Sequence, residues 1–279
     1  MNPNGAAEGK NMRRSSRVVG LLFFVLFLMG FQTDYVKFQT GATYSWDKDR
    51  RQVTGLLSRP AGAGRSPAVV LLHTCGGLQP HVISAWPRYL TGLGYVVLAA
   101  DSYTPRGYAK CTNSGTWKND QTKDAFGALD YLAGLPFVDG ERIAVMGFSA
   151  GAFAVNDNVI NRSRQRAGMR NYKAAISLYG RCSDPLRWYT EKDIPLMQIV
   201  GELDAFRSSC ENMRIDWNVS IEVHVLPGAY HAFDQSQITA KRPAPLIEIT
   251  HRVDNQMLYD AARTREAREL TRAFLDKHL

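Results

Sequence analysis

No apolar run in this chain reaches the roughly 20 residues a helix needs to cross a bilayer. The longest is Val18 to Phe31, VVGLLFFVLFLMGF, at 14 residues. There is no internal repeat and no low-complexity block, which argues against a solenoid or array. Cysteine is scarce, at four residues, and no Cys/His pair has ligand spacing, so a zinc-type metal site is not expected. Clustered positive charge is also missing. The net charge is +8, but Lys10, Arg13, Arg14 and Arg17 stand against only Glu8 in the first 31 residues, and the remainder holds 30 basic and 25 acidic residues. A modest, scattered excess is a solvated surface and argues against a nucleic-acid interface.

What is present is enough apolar material for a sizeable core: 279 residues, 45% apolar and 10% aromatic. The pattern of strands and helices predicts a single α/β domain. Residues 1–33 read as a signal peptide or signal anchor, with the basic Met12 to Arg17 ahead of the short apolar core. No clear small-x-small cleavage site follows, so membrane attachment through residues 18–31 stays open beside export to the periplasm or beyond. Residues 34–51 are expected to form a linker and first strand, and 52–279 the main domain.

Along that domain, Tyr35 to Thr40, Val53 to Ser58, Pro67 to His73, Tyr95 to Ala100, Ala174 to Tyr179, Ile194 to Val200 and Ile221 to Leu226 read as strands. Ser84 is expected to cap a helix with Trp86, Leu90 and Leu93 on its apolar face. Ala125, Ala128, Leu129 and Leu132 mark another, and a last helix runs from about Tyr259 to His278. Val138-Asp139-Gly140 reads as a turn into the strand Ile143 to Met146. The order predicts a mostly parallel sheet with helices on both faces, ligands binding at the carboxyl ends of its strands.

At one such end stands GFSAG, residues 147 to 151. Glycines flanking Ser149 permit a sharp strand-to-helix turn that pushes the hydroxyl out over the sheet. A serine hydroxyl is almost never ionised near neutral pH and needs a base. Of the six histidines (73, 81, 224, 231, 251 and 278), His231 follows a strand at the same edge, whereas His224 falls inside that strand and reads as structural. The orienting acid is Asp204, preferred over Glu202 in the same GELDAF segment, with Asp184 after the preceding strand as the other candidate. Ser149, Asp204 and His231 occur in the order expected of an α/β-hydrolase. Two backbone N–H groups must meet the developing oxyanion; Ala150 and, from the turn HTCGG, Cys75 are the expected donors. Tyr103, Arg106, Trp117 and Tyr230 are candidate walls of the substrate pocket.

The segments LLHTCGGLQPH, VVLAADSYTPRG, VMGFSAG, GELDAF and PGAYHAFD together resemble the dienelactone hydrolase family of α/β-hydrolases, from about Gln52 to the C-terminal helix. The resemblance implies the same triad and oxyanion donors and no cofactor. Founding members carry cysteine at the nucleophile position, a glutamate where Thr74 stands and arginines for the substrate carboxylate. Here the nucleophile is serine, Thr74 is neutral, and Arg106 and Arg181 lie merely near the corresponding strand ends. A general ester or lactone hydrolase is therefore expected; an acyltransferase or peptidase on the same scaffold, or a non-catalytic envelope protein, are the alternatives. The positions of the cysteines after neighbouring strands predict disulfides Cys75–Cys111 and Cys182–Cys210, in keeping with export.

Overall fold

The computed structural model describes residues 32–279 except 45, 63, 112–115, 167, 183–185, 187–192, 217–220 and 245–254. The apolar leader, Asp184 and His251 lie outside the described residues. Eight strands form one sheet in the order β1-β2-β4-β3-β5-β6-β7-β8. They are β1 Gln32–Gln39, β2 Gln52–Arg59, β3 Ser66–Leu72, β4 Val96–Asp101, β5 Val138–Phe148, β6 Ala174–Leu178, β7 Leu196–Gly201 and β8 Glu222–Leu226. β1 and β2 are antiparallel additions at one edge, while β4-β3-β5-β6-β7-β8 are all parallel. The fold is that of an α/β-hydrolase, as the sequence order implies.

Both faces of the central parallel strands are covered, which is why β3, β4, β6 and β7 read as largely apolar runs and not as alternations, with Ser177 and Gln198 the buried polar residues of β6 and β7. On one face α2, Thr116–Ala133, presents Ala125, Phe126, Leu129 and Leu132 to Val70, Leu98 and Val145. On the other, α1, Trp86–Gly92, and the C-terminal helix α6, Ala261–His278, which comes after α5, Arg207–Asp216, cover Val69, Val97 and Ile176 with Trp86, Leu90 and Phe274. Asp260 caps α6 by accepting from the Ala262 and Arg263 N–H groups, and Lys277 ends it favourably for the helix dipole.

Four local expectations differ. β1 spans Gln32–Gln39, where the sequence reading expects a strand from Tyr35 to Thr40. Val138-Asp139-Gly140 is not a turn: Val138 pairs with Ser66, and a register irregularity absorbs the extra residues before Ile143 meets Ala68. Ser84 is not a cap, because the helix is entered at His81 through one π turn, His81–Ala85, with no side-chain cap. Leu93 lies just past α1 and is 38% exposed.

Candidate active site

The turn after β5 is built by glycine. A Cβ on Gly147 would lie 2.4 Å from the Gly151 carbonyl carbon, and one on Gly151 would lie 2.2 Å from the Leu72 oxygen. Only hydrogen fits at either place, so α3, Ala150–Ala154, can start directly against β3. Ser149 is left at φ 50°, ψ −108°, a strained conformation held by its own N–H donating to the Leu178 carbonyl and by Gly151 N–H donating to His73 O, each at 3.0 Å. Beyond α3 the chain passes through a π turn, Val155–Val159, into α4, Ile160–Gln165.

The structure brings the predicted trio together. His231 Nε2 lies 2.9 Å from Ser149 Oγ, and His231 Nδ1 lies 2.8 Å from Asp204 Oδ2. Because a carboxylate can only accept, Nδ1 carries the hydrogen and Nε2 presents its lone pair to the serine hydroxyl. All three side chains are buried. Tyr179 packs edge-on against the imidazole at 4.9 Å and Phe206 at 5.8 Å. The loops bearing acid and base are themselves joined, since Leu203 N–H donates to the Ala229 carbonyl and Gly201 passes so close to that carbonyl that a Cβ would sit 2.4 Å from it. Glu202 is exposed and accepts from the Gly228 N–H, away from the histidine. His224 is half-buried on the edge strand β8 and pairs with Glu222 at 2.7 Å.

Opposite the serine, the turn after β3 is braced at several points. Gly77 N–H donates to Thr74 O, Gln79 Nε2 to Gly76 O, and Cys111 N–H to Cys75 O at 3.0 Å. The disulfide Cys75–Cys111 reinforces that last contact, and Cys75 packs in one apolar cluster with Ala150, Phe153 and Phe206. Cys182 and Cys210 form the second disulfide. Both pairings match the sequence expectation and suit maturation in an oxidising compartment. No helix among the described residues is long and apolar enough to cross a membrane.

His73 anchors the same turn from beneath. Its Nδ1 donates to Thr74 O at 2.8 Å and its Nε2 accepts from the Ser102 N–H at 3.2 Å. Burial pushes its pKa down to about 4, against the pull of the Thr74 carbonyl. Between about pH 6.5 and 4 the unfolded chain therefore binds a proton that the folded chain refuses, and the fold loses up to about 3 kcal/mol as pH falls through that window. Urea midpoints at pH 7 and pH 4.5 should differ less in His73→Asn than in the wild type. An equal drop in both would assign the acid sensitivity elsewhere.

A cavity of about 200 Å³ opens over Ser149 and His231, walled on one side by Thr74, Cys75, Gly76 and Gln79 and on the other by Gln235, Arg242 and Met257. A cleft of about 250 Å³ at the opposite end of the strands, beside Gln32, Arg59 and Phe137, has no histidine or carboxylate in its walls. Tyr103, Arg106 and Tyr230, three of the expected pocket residues, are not in the wall of that cavity. Arg106 forms a two-pronged pair with Asp124, both bonds at 2.9 Å, and also meets Asp120 at 3.3 Å. Burial holds the Asp124 carboxyl up at about 6 despite that partner. Tyr103 is buried against His73, with ring centres 4.3 Å apart, and Tyr230 lies under Lys241 Nζ at 4.9 Å; neither lines the cavity. The side chain of Trp117 is outside the described set. Arg181 sits 5.9 Å over the Phe153 ring.

Sequence reasoning missed Gln79, Gln235, Arg242 and Met257. The last two belong to a short antiparallel pair, β9 Arg242–Pro243 and β10 Gln256–Met257, that returns to bridge His231. Nothing in the periodicity of that stretch announces it. Asn255, just before β10, also escaped notice; it donates to Asp204 Oδ1 at 2.8 Å.

The model of the dienelactone hydrolase family matches residues 53–279. The chain belongs to that family, within the α/β-hydrolase superfamily. An esterase FrsA of Enterobacter sp. is 30% identical over 174 residues, 60% of this chain and 39% of the relative, so the chain spans about two fifths of the length of that esterase. A Synechocystis protein named as a candidate carboxymethylenebutenolidase is 25% identical over 219 residues, 65% of this chain and 81% of the relative. Among solved structures, a thermostable esterase from Pseudomonas putida superposes with a TM-score of 0.61 at 17% identity, covering 90% of this chain and 84% of that one. That likeness concerns the fold.

Proposed function

We propose that the protein hydrolyses small carboxylic esters or lactones through a Ser149-His231-Asp204 triad and an acyl-enzyme. The observation that carries the reading is the buried line of hydrogen bonds from Ser149 Oγ through His231 to Asp204, at 2.9 and 2.8 Å. His231 Nε2 takes the hydroxyl proton as Oγ attacks the carbonyl carbon. The tetrahedral oxyanion is met by the N–H groups of Ala150 and Cys75, each worth about 3 kcal/mol of barrier. On collapse His231 returns the proton to the departing alcohol, and water, activated by the same imidazole, releases the acid. Asp204 keeps the imidazole in the tautomer that presents Nε2 and stabilises it once protonated.

The cavity volume of about 200 Å³ lies below the ~300–1,000 Å³ of sites for drug-sized ligands, which favours compact acyl groups. The apolar leader and two disulfides support action in an exported setting. A fluorophosphonate probe is expected to modify Ser149 stoichiometrically, with the adduct on the peptide carrying GFSAG by mass spectrometry. Folded protein that stays unlabelled under conditions that label an ordinary serine esterase would overturn the mechanism.

A further inference from the structure

Acid and base of the triad are held by one short stretch that comes late in the chain. Asn255 Nδ2 donates to Asp204 Oδ1 at 2.8 Å, across 51 residues of sequence, while the Ala205 N–H donates to Asn255 Oδ1 at 3.2 Å. These partners fix which way the amide faces, because only its oxygen can accept from an N–H and only its NH₂ can donate to a carboxylate. Asp204 Oδ1 also accepts from the Phe206 N–H at 2.9 Å, leaving Oδ2 for His231 Nδ1 at 2.8 Å. Turning the carboxylate about χ2 would break all three bonds. The next residue continues the grip: His231 N–H donates to the Gln256 carbonyl at 3.0 Å, and Met257 forms a parallel bridge with His231.

We propose that Asn255 is a positioning residue for the reaction, locking the Asp204 carboxylate in the plane that His231 Nδ1–H requires; this rests on the triad reading above. Its side chain is buried, 2% exposed, and both ends of its amide are engaged with the acid's own loop. A carboxylate free to swing lets the imidazole tilt off the serine hydroxyl, and small misplacements of this kind cost rate more than binding.

Asn255→Ala is expected to lower kcat about tenfold to a hundredfold with KM changed less than about twofold. If that variant is unfolded at the assay temperature, Asn255→Ser, which also removes the amide but leaves less of a void, takes its place with the same expectation. The deciding readout is a double-mutant cycle. In an Asp204→Ala background the Asn255 substitution should change kcat by less than about twofold, because the group it acts through is gone. A residue that merely fills space would lower the melting temperature and leave kcat of the folded fraction alone; that result, or an equal loss of kcat with and without Asp204, overturns the assignment. Asp204→Ala by itself separates the two failures. Near-normal activity there sinks the triad and this role with it, whereas a strong loss beside unaffected Asn255 variants sinks only the positioning role.

Discussion

Ser149→Ala is expected to lower kcat on a small activated ester such as p-nitrophenyl acetate about 10⁶-fold, with KM within about threefold. The asymmetry follows from the geometry. Substrate would be held by the turn Thr74–Gly76 and the wall Gln235, Arg242 and Met257, none of which changes when one oxygen is removed. The acyl-enzyme, however, has no atom on which to form. Residual hydrolysis would come from polarisation of the carbonyl and from water entering the vacated space beside His231. The variant should fold as the wild type does, because the strained backbone at Ser149 is imposed by Gly147 and Gly151 and not by the hydroxyl. Activity above about a tenth of wild type would show that another group is the nucleophile.

Loss of the Cys75–Cys111 disulfide is expected to reach both stability and rate. Its half-cystines are 36 residues apart, and releasing a loop of that size costs about 4 kcal/mol on the chain-entropy account. Cys75 is also the residue whose N–H is assigned to the oxyanion, and the disulfide backs the hydrogen bond from Cys111 N–H to Cys75 O. Freed of that brace, the turn should present its donor less well, lowering kcat about tenfold, a fraction of what complete loss of a donor costs. The Cys182–Cys210 bridge supplies the control: with a separation of 28 residues its removal should cost similar stability, but kcat should stay within about twofold, because it does not brace the Cys75 turn. The measurement is urea unfolding of the paired Cys→Ser variants, with kcat read well below their melting points. Equal kcat losses in the two variants would show that the bracing of the Cys75 turn is not what matters.

The readable parts of the site were those tied to strand ends. Ser149 and Asp204 follow the largely apolar, buried strands β5 and β7, and His231 follows the partly exposed edge strand β8 that runs parallel to them; parallel strands deliver their carboxyl ends to one edge whatever the loops do. Arg106 also follows such a strand, yet sequence gives no direction to a side chain, and Asp124 and Asp120 on the next helix claim it. Asn255 was illegible for a different reason. It precedes a two-residue strand in a stretch without periodicity, and its meaning comes from a chain reversal that no local pattern encodes. Val138-Asp139-Gly140 has the composition of a turn, but pairing with Ser66 outweighs that local preference.

The direction of β1 has a practical corollary. β1 runs antiparallel to β2, which runs antiparallel to β4, so Gln32, paired with Arg59, lies at the end of the sheet opposite the catalytic cavity. A bead, chip or tag joined through residues ahead of Gln32 would therefore hold the protein by its far pole and leave the mouth turned toward the bulk liquid. Immobilisation from the amino side should be the arrangement that leaves turnover on dissolved substrates unhindered.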